Sequence, residues 1–203
     1  MNILFLGGNR FFGKKLLQKL SLNKKINIYV LNRGNKKIAK NIFNNKKIIF
    51  LKCDRKNKTE MKKILQNIRF NLIFDNCAYE VKDVKNLLHI IKNKKITYLF
   101  SSSVMSYLNL YLKGVLKEKD WPSANSIQKM KNIYMSHELK YAKNKREIEK
   151  FLINNKKIKS IIFRIHNVIG KNDFSQKTFK IFMSNFKQAQ KYNISEYDDF
   201  QFT

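Results

Sequence analysis

An α/β fold built on a doubly wound parallel sheet is predicted for this 203-residue chain by three observations. Short apolar runs recur along it, stretches with helical spacing separate them, and the first run leads directly into a glycine-rich turn. The runs are Ile3–Leu6, Ile26–Leu31, Ile48–Leu51, Leu72–Phe74, Ile96–Phe100 and Ile161–Ile165. Each is short, continuous and rich in Ile, Leu or Phe, as strands buried on both faces should be. Between them, Phe11–Leu22, Lys36–Phe43, Thr59–Ile68, Val81–Ile91 and Lys140–Ile153 place apolar residues three and four apart, the period of an amphipathic helix. Strands that alternate with helices pair in parallel through right-handed crossovers.

The first strand ends in Gly7-Gly8-Asn9-Arg10-Phe11-Phe12-Gly13. Glycines there permit a tight turn, close approach of backbone to a pyrophosphate and close packing of helix on strand, while the helix N-terminus offers free N–H groups to phosphates. The second strand ends Val30-Leu31-Asn32-Arg33, and residues 1–50 contain no Asp or Glu. A dinucleotide site that selects NAD uses an acid at this place for the ribose hydroxyls. Arg33 suits a 2′-phosphate instead, since a guanidinium binds phosphate in bidentate fashion, and Arg10 stands on the same side. NADP is therefore slightly favoured over NAD. The fifth strand runs into Ser101-Ser102-Ser103, and the rhythm breaks between Leu108 and Ser136, a stretch with the sole Pro and the sole Trp. Tyr141-Ala142-Lys143-Asn144-Lys145 then puts a phenol and an ammonium on one helix face, four residues apart. With 37 Lys and nine Tyr that spacing arises readily by chance, so its place between the Ser-rich strand end and the sixth strand is what gives it weight.

In its order of motifs the chain resembles the NAD-dependent epimerase/dehydratase family, the extended short-chain dehydrogenase/reductases. GGNRFFGKKL is similar to the GGTRF-x-G variant of the family's glycine turn, with Arg10 where most members carry a third glycine. The resemblance continues through Leu31-Asn32-Arg33-Gly34, Cys53-Asp54-Arg55, Phe74-Asp75-Asn76-Cys77-Ala78-Tyr79, Ser101–Tyr107, Tyr141–Lys145 and Arg164–Asp173. It implies an NAD(P)-binding Rossmann domain over residues 1–173, and it implies that 174–203 begins a C-terminal substrate-binding region that is largely absent. Cofactor contacts are implied at Gly7, Asn9, Arg10, Phe11, Phe12 and Gly13 in the glycine turn, and at Asn32 and Arg33 after the second strand. Further contacts are implied at Asp54 and Arg55, the former meeting adenine, and at Asn76, Cys77, Ala78 and Tyr79 on the ribose side. Ser101, Tyr141, Lys145, His166 and Asn167 complete that set.

The same resemblance implies a catalytic group of Ser103, Tyr141 and Lys145, with Ser102 the alternative if the register slips by one. Tyr141 would act as base, and Lys145 together with the nicotinamide would lower its titration below the usual value of about 10. Ser103 would orient the reacting oxygen of a small-molecule substrate, a nucleotide-sugar or similar hydroxyl compound. The stretch Arg164–Asp173 lacks both prolines and the tyrosine of the family element R-P-x-N-V-Y-G-P-x-D, and His166 within it fits a loop or packing role better than that of a base.

Composition limits the other possibilities. Forty-three Lys+Arg against 14 Asp+Glu give a formal charge of +29, which invites a nucleic-acid reading. Only six of the 43 are Arg, and Lys, Asn, Ile and Phe are abundant together, the bias of an AT-rich coding sequence. The alternative functions are thus an RNA-binding protein on the same scaffold and a non-catalytic cofactor-binding fragment. Cys53 and Cys77 rule out a disulfide framework and read as small buried hydrophobes, and His89, His137 and His166 share no metal-ligand spacing. No apolar run approaches the ~18 residues of a membrane span, so a cytoplasmic protein, and a homodimer where a lid would otherwise sit, are expected.

Overall fold

The computed structural model describes residues 1–8, 11–34, 48–91, 95–108, 118, 136–166, 168 and 183–184. The chain divides into two compact units, Met1–His166 and Asn167–Thr203, and the architecture below is that of the first. The expected helix at 36–43, Asn9, Arg10, Asn167, most of the interval 109–135 and nearly all of 174–203 lie outside the described residues.

Among the described residues the strands are β1 (Asn2–Leu6), β2 (Asn27–Asn32), β3 (Ile48–Lys52), β4 (Leu72–Asp75), β5 (Thr97–Ser103) and β6 (Lys159–Ile165). The helices are α1 (Phe11–Ser21), α2 (Lys58–Leu65), α3 (Val81–Ile90) and α4 (Ser136–Asn154), and a 3-10 turn follows β5 at Val104–Tyr107. The sheet order is β3-β2-β1-β4-β5-β6, parallel at every pairing. The predicted doubly wound sheet is therefore present, and its order reverses between β1 and β4.

Alternation along β1 feeds two cores, because successive strand side chains point to opposite faces. Leu4 and Leu6 pack with Met61 and Leu65 of α2, Val84 and Leu87 of α3, and Ile148 and Leu152 of α4. Ile3 and Phe5 pack on the other face with Leu17 of α1, Ile28 and Val30. Phe5 stacks on Phe74 of β4 with ring centroids 4.6 Å apart. Burial on both faces holds for β1 and most of β4, but not for the outer strands. Ile49 and Phe50 of β3 and Phe163 of β6 are exposed, because each of these strands has a neighbour on one side only.

Two boundaries moved for identifiable reasons. β5 runs three residues past Phe100, since Ser101, Ser102 and Ser103 pair with Phe163, Arg164 and Ile165 of β6. Backbone hydrogen bonding is indifferent to the polarity of those side chains. α4 begins at Ser136, one turn before the apolar spacing starts, because Ser136-His137-Glu138 adds polar residues to a helix without adding to its stripe.

Candidate functional site

Parallel strands deliver all their following turns to one edge of the sheet, and ligands of such sheets bind where the strand order reverses. Here that point lies between the ends of β1 and β4, whose last residues Leu6 and Asp75 are register partners. Gly7 leaves β1 with φ +87°, a left-handed conformation that suits glycine, and a Cβ on it would stand 3.0 Å from Asn76 Cβ. A Cβ on Gly13 would fall 2.4 Å from the Gly7 carbonyl oxygen. The first turn of α1 is thus drawn against the exit of β1 as closely as backbone permits. That turn carries no acidic residue, and Phe11 starts it with φ 43°, rare for a non-glycine residue and characteristic of functional turns. This cradle fits the pyrophosphate of a dinucleotide: glycines where side chains would intrude, and a helix N-terminus without opposing charge.

The flanking strand ends are occupied differently. Asn32 spends its side-chain oxygen on the N–H of Gly34 at 2.8 Å, leaving Arg33 exposed beside the turn. Among the described residues at the end of β2, Asn32, Arg33 and Gly34, none carries a carboxylate. Asp54 accepts from the N–H of Lys56 at 2.9 Å and so shapes the turn after β3. Arg55, expected among the cofactor contacts, is instead turned into the protein. Its Nη1 and Nη2 each donate to Asp75 at 2.9 Å, and its Nε lies 3.9 Å from Asp83. Tyr98 adds a third bond, Oη to Asp75 Oδ2 at 2.5 Å. Burial alone would raise the Asp75 carboxyl, but the Arg55 guanidinium and these bonds hold it below the ordinary range. Cys77 closes the cluster: its N–H donates to Asp75 Oδ1, and burial beside that carboxylate pushes its thiol up to about 11.

At the ends of β4 and β5 the candidate catalytic residues come together. Lys145 is almost wholly buried, and its Nζ donates to the carbonyls of Ala78 (3.1 Å) and Ser101 (3.0 Å). It lies 4.6 Å from the ring centre of Phe100 and 5.5 Å from those of Tyr79 and Tyr141. Burial lowers its titration to about 8, against the upward pull of Asp75, Cys77 and Glu149. Ser103 Oγ accepts from the N–H of Met105 at 3.2 Å, and its hydroxyl stands beside the Tyr141 phenol and pulls that group's titration down. It is Ser103, not Ser102, that meets Tyr141. The protein's own groups raise the Tyr141 phenol above its usual value: burial outweighs the pull of Ser103, and Lys145 is spent on two carbonyls.

Tyr79, 57% exposed, sets its ring 6.3 Å from that of Tyr141 and forms the open side of the group. Ser101 Oγ is buried with no hydrogen-bond partner among the described residues. Phe11 and Phe12 are half-buried at the start of α1, and His166 is exposed just beyond β6. The structure therefore assembles Ser103, Tyr141 and Lys145 with Ala78, Tyr79 and Ser101, and sets Gly7, Gly13 and Asn76 together at the strand reversal. Among the described residues no group of His, Cys, Asp and Glu could hold a metal ion, and no helix is long and apolar enough to cross a membrane.

Sequence reasoning missed the buried carboxylates Asp75 and Glu149. Each had a signal: Asp75 ends the apolar run Leu72-Ile73-Phe74, and Glu149 falls on the stripe of Ala142, Lys145, Ile148 and Leu152.

No protein-family model and no curated protein sequence matches the chain. Solved structures do match it. A dTDP-glucose 4,6-dehydratase from Bacillus anthracis in complex with NAD superposes with a TM-score of 0.68 at 18% identity, over 93% of this chain and 62% of that one. A UDP-glucuronic acid 4-epimerase from Bacillus cereus, in complex with UDP-glucuronic acid and NAD, gives 0.67 at 18% identity over 93% and 63%. The thiolation-reductase di-domain of an archaeal non-ribosomal peptide synthetase gives 0.66 at 17% identity over 94% and 59%. At these identities the likeness is one of fold, and the chain spans less than two thirds of each structure's length.

Proposed function

We propose that this chain is a member of the NAD-dependent epimerase/dehydratase family, carrying its dinucleotide site and a Ser103–Tyr141–Lys145 proton-transfer group. The observation that supports this most is the convergence of two independent features on one sheet edge. The Gly7–Gly13 cradle lies at the strand reversal, and Ser103 and Tyr141, with Lys145 5.5 Å from the Tyr141 ring centre, lie together at the neighbouring strand ends. Two of the matched structures, a dehydratase and an epimerase acting on nucleotide-sugars by name, hold NAD.

In this proposal Gly7, Gly13 and the N-terminus of α1 hold the pyrophosphate, and Asn76, Ala78 and Tyr79 line the path toward Tyr141. A bound nicotinamide supplies a hydride acceptor or donor and, when oxidised, a positive charge. Tyr141 reacts as the phenolate, its own proton having gone to solvent: its Oη takes the proton of a substrate hydroxyl, and Ser103 Oγ holds the reacting oxygen beside it. Lys145, fixed by two carbonyls, contributes charge and rigidity rather than a proton. The substrate class is a hydroxyl compound of the nucleotide-sugar type.

Tyr141→Phe should lower turnover by about 10²–10⁴-fold, the range of a general base, and leave the Kd for cofactor within about twofold. Stopped assays on nucleotide-sugars, with cofactor affinity read by NADPH fluorescence, check both. Unchanged turnover would remove Tyr141 from the role. The exposed Arg33 and the absence of an acid at the end of β2 favour NADP. NADPH should bind more tightly than NADH, and Arg33→Ala should erase the difference; tighter binding of NADH by the unaltered chain would refute the preference.

A further inference from the structure

The buried stripe of α4 carries two charged side chains one turn apart, Lys145 and Glu149. The proposed chemistry uses the first and not the second, yet Glu149 is fully buried. Its carboxylate accepts from three donors on two strands. Ser102 Oγ of β5 donates to Oε1, and Arg164 of β6 donates to Oε2 from Nε at 3.0 Å and Nη2 at 2.8 Å. Arg164 Nη1 in turn donates to Tyr107 Oη at 2.6 Å, in the 3-10 turn that follows Ser103. Ser102 and Arg164 are register partners, so one carboxylate spans the seam between β5 and β6 and reaches the turn beyond.

Stability alone is a poor account of such a network, because burying an ion pair in place of well-packed apolar groups is often neutral or costly. What the network does specify is geometry. Ser102 adjoins Ser103, and Glu149 stands on the same helix as Tyr141. A slip of α4 by one residue is ~1.5 Å, several times the tolerance of a hydrogen bond between two hydroxyls. We propose that Glu149 is a positioning residue, locking α4 to the ends of β5 and β6 so that Tyr141 stays beside Ser103. The proposal rests on the Ser103–Tyr141 group put forward above.

The test reads Tyr141 directly, without substrate. With 3,5-difluorotyrosine placed at position 141, the phenol titrates near neutral pH and its fluorine NMR signal is distinct from the other tyrosines. Ser103→Ala should raise the midpoint by about half a unit or more, the size of one neutral hydrogen bond. Glu149→Gln should raise it similarly. Ser102→Ala removes only a hydroxyl, and Lys145 and Arg146 still tie α4 to the segments after β4 and β5, so this variant folds and should shift the midpoint the same way. Ser102→Ala combined with Ser103→Ala should shift it no further than Ser103→Ala alone. If Ser103→Ala shifts the midpoint while folded Glu149→Gln and Ser102→Ala titrate as wild type, Glu149 merely stabilises the fold and the proposal is overturned. If Ser103→Ala itself leaves the midpoint unmoved, the Ser103–Tyr141 pair falls, and both the function and this inference fall with it.

Discussion

Lys145 shows how one buried side chain couples the site to solution conditions. Its folded value of about 8 lies below the ordinary 10.5, chiefly because burial penalises the ammonium. Below about pH 8 it is protonated in both folded and unfolded chains, and the folded state bears the whole penalty. Between about 8 and 10.5 the unfolded chain alone keeps the proton, so stability rises with pH across that window. Comparing urea unfolding of the wild type with Lys145→Met at pH 7 and pH 9.5 should show the wild type gaining relative to the variant at the higher pH. An unchanged difference would mean that Lys145 is not desolvated as the structure has it. Tyr141 illustrates the converse: Lys145 was expected to lower its phenol jointly with a nicotinamide, whereas the protein's own groups raise it, burial first. Linear spacing identifies neighbours but not how their charges are spent.

At the scale of elements, β4 is the centre of the edge proposed to hold the cofactor. Asp75 at its end gathers Arg55 from the turn after β3, Tyr98 from β5 and the N–H of Cys77. Asp83, in the first turn of α3, accepts from the N–H groups of Tyr79 and Glu80 and stands near the same Arg55. Arg55→Met would leave Asp75 buried without its cation and should cost about 3–5 kcal/mol in denaturant unfolding, the usual effect of breaking a buried pair. Acid sensitivity should change with it. Asp75 is held below its unfolded value, so the pair contributes stability above that value and loses it as pH falls through the folded one. The variant should therefore lack that part of the acid limb. A loss under about 1 kcal/mol would show the cluster to be looser than its distances indicate.

For the whole molecule the question is the charge of +29. The groove between α3 and α4 is edged by Lys85, Lys150 and Lys157 against Glu147, with Lys85 5.4 Å from the Phe151 ring centre. Lysines at this density populate any surface of so lysine-rich a chain. Binding to unrelated RNAs should accordingly be equal among sequences and should fall by about 10³-fold or more between 50 and 200 mM salt, if six or more phosphates are contacted. Filter binding across that range checks it. Sequence-selective, sub-micromolar binding at physiological salt would instead establish the RNA-binding alternative.

Apolar runs and helical spacing by themselves indicated the six strands, the described helices between them and their parallel pairing, because a strand buried on both faces is a continuous apolar run and an amphipathic helix repeats every 3.6 residues. The glycine turn was equally local, since Gly7 and Gly13 are six residues apart and act on each other. Only the tertiary structure decided which serine meets Tyr141, that Arg55 faces Asp75 twenty residues away, and that Glu149 bridges two strands. Those choices depend on which polar groups are taken out of water together. Burial is a property of the packed sheet and helices, and a charge removed from water must find its partner wherever the fold brings one within reach.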